Sequence, residues 1–116
     1  LANKAQAFFE SFPETQAAMR ERGGEIGKAF MPMHHAMMKA STLSVRDKEL
    51  ISLGIAVAVR CESCIYLHTQ KCLQEGATPE QIMEAAGVAV MMGGGPAFMY
   101  APLVAQAIDY LKSKTP

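Results

Sequence analysis

Apolar residues recur along this chain at intervals of three and four, the spacing of one face of an α-helix. Ala5, Phe8, Phe9 and Phe12 predict a helix over 3–12; Pro13 ends it or starts the next, and a second pattern over 14–22 weakens at Gly23-Gly24. Ile26, Ala29, Phe30, Met33, Met37 and Met38 carry a third, with Pro32 inside it predicting a kink or a boundary. Ser44, with Asp47 three residues later, resembles a capping box. It opens a run of Leu50, Ile51, Leu53, Ile55, Ala56, Val57 and Val59, apolar nearly all round and expected to be the central buried helix. Another helix is predicted from near Cys61 to about Glu75, where Gly76 is a natural stop. Thr78-Pro79-Glu80-Gln81 is a helix start, with Thr as cap, Pro at the first helical position and Gln at the third. That helix runs to about Met92, Gly93 to Gly95 turn the chain, and Pro96 opens a last helix to near Lys112, bent locally at Pro102. No segment alternates polar and apolar residues over a strand's length, and there is no Asn-Gly hairpin signal. The predicted fold is all-α, a compact bundle of six or seven helices.

Composition narrows the class. A chain of 116 residues is expected to form one domain over 1–116, large enough to remove about 65% of its extended surface from water. Half the residues are hydrophobic and 19% are charged, which excludes a disordered chain. Eleven basic residues balance eleven acidic ones, so the basic excess of a nucleic-acid binder is missing. The first ten residues mix polar and apolar side chains and do not read as a signal peptide. Residues 85–108 carry no charge, yet Gly93-Gly94-Gly95-Pro96 would break a membrane-spanning helix, and two buried helices explain the stretch better. The expected location is therefore a cytoplasmic, reducing compartment. Three cysteines are too few, and odd in number, for a disulfide scaffold; in such a compartment a close pair is more often catalytic or metal-binding than structural.

The chemistry concentrates at Cys61-Glu62-Ser63-Cys64, a C-x-x-C motif with His68 four residues beyond. In the first turn of a helix the two sulfurs lie close enough for a slight tightening to join them reversibly. Unpaired N–H groups and the helix dipole favour a thiolate there, and Arg60 adds positive charge. His68 lies one turn beyond Cys64 on the same face, placed to take or give a proton. A nucleophile, a resolving thiol and a base are the parts of a redox dithiol.

Other readings of these residues stay open. Cys61, Cys64 and His68 supply three of the four ligands of a zinc site, with Glu49 or another histidine as the fourth, and the chain would then be a structural assembly module. A non-redox binding or assembly protein is the third possibility. Haem attachment is a poor fit, because Ile65 and not His follows Cys64. Cys72, about 12 Å along a helix from Cys64, is out of reach of the pair and reads as a buried apolar residue. Glu49 is the one acid in the apolar helix after Asp47: either a solvated residue of the first turn or a carboxylate turned inward to orient His68. Of His34 and His35, one is expected to be partly buried and one exposed. Met31, Met33, Met37, Met38, Met91, Met92 and Met99 are expected to fill core or a subunit interface. The glycine run lacks the Lys-Ser/Thr of a phosphate loop and is better explained by a tight turn.

Glu49, eleven residues, then Cys61-x-x-Cys64-x-x-x-His68 resembles the alkylhydroperoxidase D-like (AhpD-like) branch of the carboxymuconolactone decarboxylase family. The match runs from about Leu43 to Leu111 and includes Ala56-Val57-Ala58-Val59-Arg60-Cys61, Glu75-Gly76-Ala77-Thr78 and Val88 to Pro96. The resemblance implies an all-helical homo-oligomer, often a trimer or hexamer. It implies a peroxiredoxin-type, thiol-dependent peroxidase or disulfide reductase without a cofactor. A hydroperoxide would be the substrate, and a thiol, dithiol or redox protein the electron donor. Glu49 and His68 would relay protons, Cys64 would attack the peroxide and Cys61 would resolve the sulfenic acid. Ser63 stands where some members carry a second histidine, implying a simpler relay or a lower peroxidase rate. The decarboxylases of the wider family do not use the cysteine pair, so that activity is not carried over.

Overall fold

The computed structural model describes residues 3–114, and these form helices and no strands. In chain order they are α1 (Lys4–Arg22), α2 (Gly24–Met38), α3 (Val45–Ala58), α4 (Glu62–Gln74) and α5 (Pro79–Ser113). The all-α expectation holds, but there are five elements and not six or seven. Pro13 and Pro32 divide nothing: each lies within a continuous helix. Both are exposed. The carbonyl deprived of its N–H partner can turn to water, and the fixed φ of the ring suits a helix. The expected glycine turn is present as a break within α5, where Gly94 takes φ 73° and ψ −158°. That conformation is open almost solely to glycine. The helix continues unbroken through Pro102. By length and composition α5 passes for a membrane span, but it breaks at Gly94 and packs along α3 and α4.

The predicted N-caps form, with a reciprocal capping box at Thr78 but only the serine's half of one at Ser44. Ser44 Oγ accepts the N–H of Asp47 at 3.0 Å. At α5, Thr78 Oγ1 accepts from Gln81 N–H at 3.1 Å while Gln81 Oε1 accepts from Thr78 N–H at 3.0 Å. Such caps contribute about 1 kcal/mol each.

α3 is the centre, packed against α4 and α5. Leu53, Ala56 and Val57 meet Ile65, Ile82 and Val104 in the core. The first half of α1 closes one end of it. The Phe8 ring lies 5.2 Å from Tyr66, and Phe9 stacks on Tyr110 at 5.8 Å. Asn3 caps α1 and donates its amide to Gln106 O at 2.8 Å, tying the helix to α5.

One expectation about burial is corrected and another is narrowed. α3 is not enclosed all round: Ile51, Ile55 and Val59 are at least half exposed. The methionines, expected in core or at a subunit interface, do not fill the core. Met31, Met33, Met37, Met91, Met92 and Met99 are exposed, and α2 has no buried residue at all. α4 and α5 pack on α3 but leave part of it open. That part forms, with α5, an open groove of about 420 Å³ whose lining includes Leu50, Ile51, Ile55, Val88 and Met92. α2 is held mainly at its end, where Lys48 Nζ donates to Met37 O at 2.8 Å and to Lys39 O at 2.7 Å.

α3 and α4 end in the same turn. At α4, Gly76 has φ 89°, with Gly76 N–H bonded to Leu73 O and Ala77 N–H to Cys72 O. At α3, Arg60 has φ 59°, with Arg60 N–H bonded to Val57 O and Cys61 N–H to Ala56 O. Both are Schellman closures, which need one residue in the left-handed region. The left-handed region costs a side-chain-bearing residue roughly 1–2 kcal/mol more than glycine. The turn at Arg60 reverses the chain and sets Cys61 at the head of α4.

Gly94→Ala should destabilise the protein by about 1–3 kcal/mol, because alanine cannot relax into that backbone conformation. A urea midpoint equal to the parent's would show that the break in α5 does not depend on glycine.

Candidate functional site

Cys61 is the N-cap of α4, one residue before the first helical position expected for it, and its Sγ accepts the N–H of Cys64 at 3.4 Å. Cys61 and Cys64 are joined as a disulfide, with Cα atoms 5.3 Å apart. Both cysteines are half-buried. The predicted proximity of the two sulfurs is therefore met, and the capping N–H supports negative charge on Cys61 when the bond is open.

Glu49 turns inward. It shares the buried face of α3 with Leu53, Ala56 and Val57, and its side chain is 5% exposed. A carboxylate so placed needs a donor. His68 supplies it from α4: its Nδ1–H donates to Glu49 Oε1 at 2.6 Å. The bond places the proton on Nδ1 and leaves Nε2 able to accept one. The His68 side chain is 22% exposed, so the ring is not sealed in. Cys64 and His68 sit one turn apart on α4. The arrangement unites a dithiol able to open and close with an oriented imidazole backed by a buried carboxylate.

Cys72 is free and fully buried, one turn beyond His68. Burial, with the Glu49 carboxylate as a second cause, pushes its thiol from 9.0 up to about 12. His34 is half-buried and His35 exposed, as expected. Among the described residues no group of three His, Cys, Asp or Glu side chains is arranged to hold a metal ion.

Two features escaped the sequence. The Tyr66 hydroxyl donates to Glu62 Oε1 at 2.9 Å, and burial together with that carboxylate raises its pKa. The i, i+4 spacing of the pair was the available signal. The left-handed conformation of Arg60 left no signal, since arginine does not favour it.

Residues 24–107 match the carboxymuconolactone decarboxylase family, and the chain belongs to that family. An uncharacterised protein of Cupriavidus necator is 36% identical over 94 residues, 78% of this chain and 83% of the relative. An uncharacterised protein of the cox locus of Paracoccus denitrificans is 35% identical over 102 residues, 85% and 92% of the two chains. Among solved structures, a carboxymuconolactone decarboxylase family protein from Legionella pneumophila superposes with TM-score 0.86 at 33% identity, covering 94% of this chain and 97% of that one. Another from Thermotoga maritima, whose description raises an antioxidative response, gives TM-score 0.82 at 30% identity, covering 92% and 91%. These findings support the family and fold implied by the sequence and are consistent with the AhpD-like branch.

Two outcomes follow from the buried groups. His68→Leu should cost about 3–5 kcal/mol by leaving a buried carboxylate unpaired, while Glu49→Leu/His68→Leu should recover most of the loss, as measured by urea unfolding. Equal losses in the single and double variants would show that the pair is not coupled. In reduced protein, Cys61 and Cys64 should react with a thiol probe before Cys72, which waits for unfolding. Above pH 9 the unfolded chain releases the Cys72 proton and the folded chain keeps it to about 12, so this group makes stability fall as pH rises through that window. Cys72→Ala should flatten the fall in urea midpoint between pH 8 and 10.5; an unchanged slope would contradict this.

Proposed function

We propose that the protein is a thiol-dependent oxidoreductase that reduces a hydroperoxide, or a partner's disulfide, through Cys61 and Cys64. The observation that carries this reading is one constellation: a bonded cysteine pair at the head of α4, followed on the same helix by a histidine hydrogen-bonded to a buried glutamate. The family and the antioxidative description of its Thermotoga maritima relative support it.

In the reaction, His68 Nε2 takes the Cys64 proton, and the thiolate attacks the terminal peroxide oxygen. The O–O bond breaks, the alcohol leaves with a proton returned through His68, and Cys64 becomes a sulfenic acid. Cys61 thiolate displaces hydroxide from that sulfur, which leaves as water, and the disulfide forms. Two thiol equivalents from a donor reopen it. Cys61, whose sulfur accepts the Cys64 N–H, is the better-stabilised leaving thiolate when a donor attacks Cys64. Glu49 touches neither sulfur in this scheme; it orients His68 and stabilises the imidazolium.

The functional form is proposed to be a homo-oligomer working in a reducing, cytoplasmic compartment. The oligomer is supported by the exposed apolar side chains of α2, α3 and α5, among them Ile26, Phe30, Ile55 and Met92.

One equivalent of hydroperoxide added to reduced protein should consume two thiols and yield a Cys61–Cys64 bond by mass mapping. Cys64→Ser should abolish turnover, and His68→Gln should lower it by about 10²-fold or more. Full thiol-dependent peroxidase and disulfide reductase activity in Cys64→Ser would overturn the reading. Light scattering after gel filtration should give a mass above one chain; a monomer would remove the oligomer from the proposal.

A further inference from the structure

The chain closes two helices with the same left-handed turn and fills the critical position differently. After α4 that residue is Gly76, the ordinary choice; after α3, directly before the dithiol, it is Arg60. The closure itself does not call for arginine, because glycine makes it at lower cost. Nor does packing: the Arg60 side chain is exposed, and among the described residues it makes no hydrogen bond, ion pair or ring contact. The acid closest to it in sequence, Glu62, is engaged by the Tyr66 hydroxyl at 2.9 Å. A permanent cation thus stands outside any ion pair on the residue preceding Cys61, on a backbone conformation arginine rarely adopts.

We propose that Arg60 selects the reductant, its guanidinium receiving an anionic group, a carboxylate or its like, carried by the thiol that reopens the Cys61–Cys64 bond. The assignment rests on the redox reading given above. In the step concerned, a donor thiolate attacks Cys64 Sγ, a mixed disulfide forms, and Cys61 leaves with the electron pair of the broken S–S bond. A second donor thiolate attacks the donor sulfur of the mixed disulfide, releasing Cys64 as thiolate and the donor as its own disulfide. Two donor thiols lose two electrons, the protein disulfide gains them, and the two donor protons end on the cysteines. Arg60 forms no bond to sulfur. It is a positioning residue, and the Cα atoms of Arg60 and Cys61 are about 3.8 Å apart. The flexible arginine side chain can therefore cover the distance between the sulfur and the acid group of a small mercapto acid. Guanidinium suits a planar oxyanion because its N–H groups form a fork.

The test uses the oxidised protein and three thiols of similar size: anionic 3-mercaptopropionate, neutral 2-mercaptoethanol and cationic cysteamine. The rate of disulfide opening is followed by mass at low ionic strength. Each thiol is compared with itself across variants, so differences in thiolate fraction cancel. Arg60→Gln should slow the anionic thiol by about fivefold, the size of one exposed charge contact. It should move the neutral thiol by no more than about twofold and leave the cationic one equal or faster. Arg60→Lys should keep most of the anionic preference, and added salt should erase it in the parent. Arg60→Gly, free of the left-handed cost, should melt within a few degrees of the parent and show the same selective loss, so the result does not depend on a fragile variant. Equal slowing of all three thiols, or no change in their ratios, would overturn the assignment. If none of the three opens the bond in the parent, the redox reading fails first, and that result is distinguishable because it precedes any substitution.

Discussion

A carboxylate on the core face of a central helix must find a hydrogen-bond donor, and the position of that donor organises the site. Glu49 shares its face with Leu53, Ala56 and Val57, which are in the core. His68 meets it from α4 at 2.6 Å. The bond crosses the α3–α4 contact, so it sets the register of the two helices as well as the orientation of the ring. A buried pair of this kind adds little to net stability when compared with apolar residues of similar size. Its presence is better understood through what it does to His68, whose second nitrogen it leaves unpaired, one turn from Cys64.

The corner between α3 and α4 makes that meeting possible. Val59, Arg60 and Cys61 reverse the chain within a Schellman closure. The closure bonds Cys61 N–H back to Ala56 O, while the Cys61 sulfur takes the N–H of Cys64. One residue therefore ends one helix and begins the next, and both cysteines are fixed relative to the helix that carries Glu49. The aromatic contacts of Phe8 and Phe9 with Tyr66 and Tyr110 hold α1 over the buried side of α4. The dithiol end is left half-buried, open to small reactants.

The rest of the chain is organised differently. α2 buries nothing, and α3 and α5 share an apolar groove. An isolated helix with so little burial gains little from its own propensity. Its apolar side chains, like those of the groove, are suited to cover from another surface, which is why an oligomer belongs with the functional proposal.

Most of the fold was legible in local pattern. The caps at Ser44 and Thr78, the stop at Gly76 and the break near Gly94 depend on side-chain and backbone chemistry within a few residues. Spacing alone brought Cys61, Cys64 and His68 together, since residues three and four apart on a helix are neighbours. What lay outside the sequence's reach was decided over longer range. Glu49 had two open readings until the packing of α3 on α4 put His68 beside it. The apolar run of α3 did not reveal that one of its faces stays bare, because hydrophobic periodicity reports which residues avoid water and not which surface covers them. Pro13 and Pro32 looked like boundaries, but their exposed positions let the helices pass through them. Arg60 shows a different limit: the closure that makes its backbone left-handed is local, but arginine has no preference for that conformation and so gives no sign of it in the sequence.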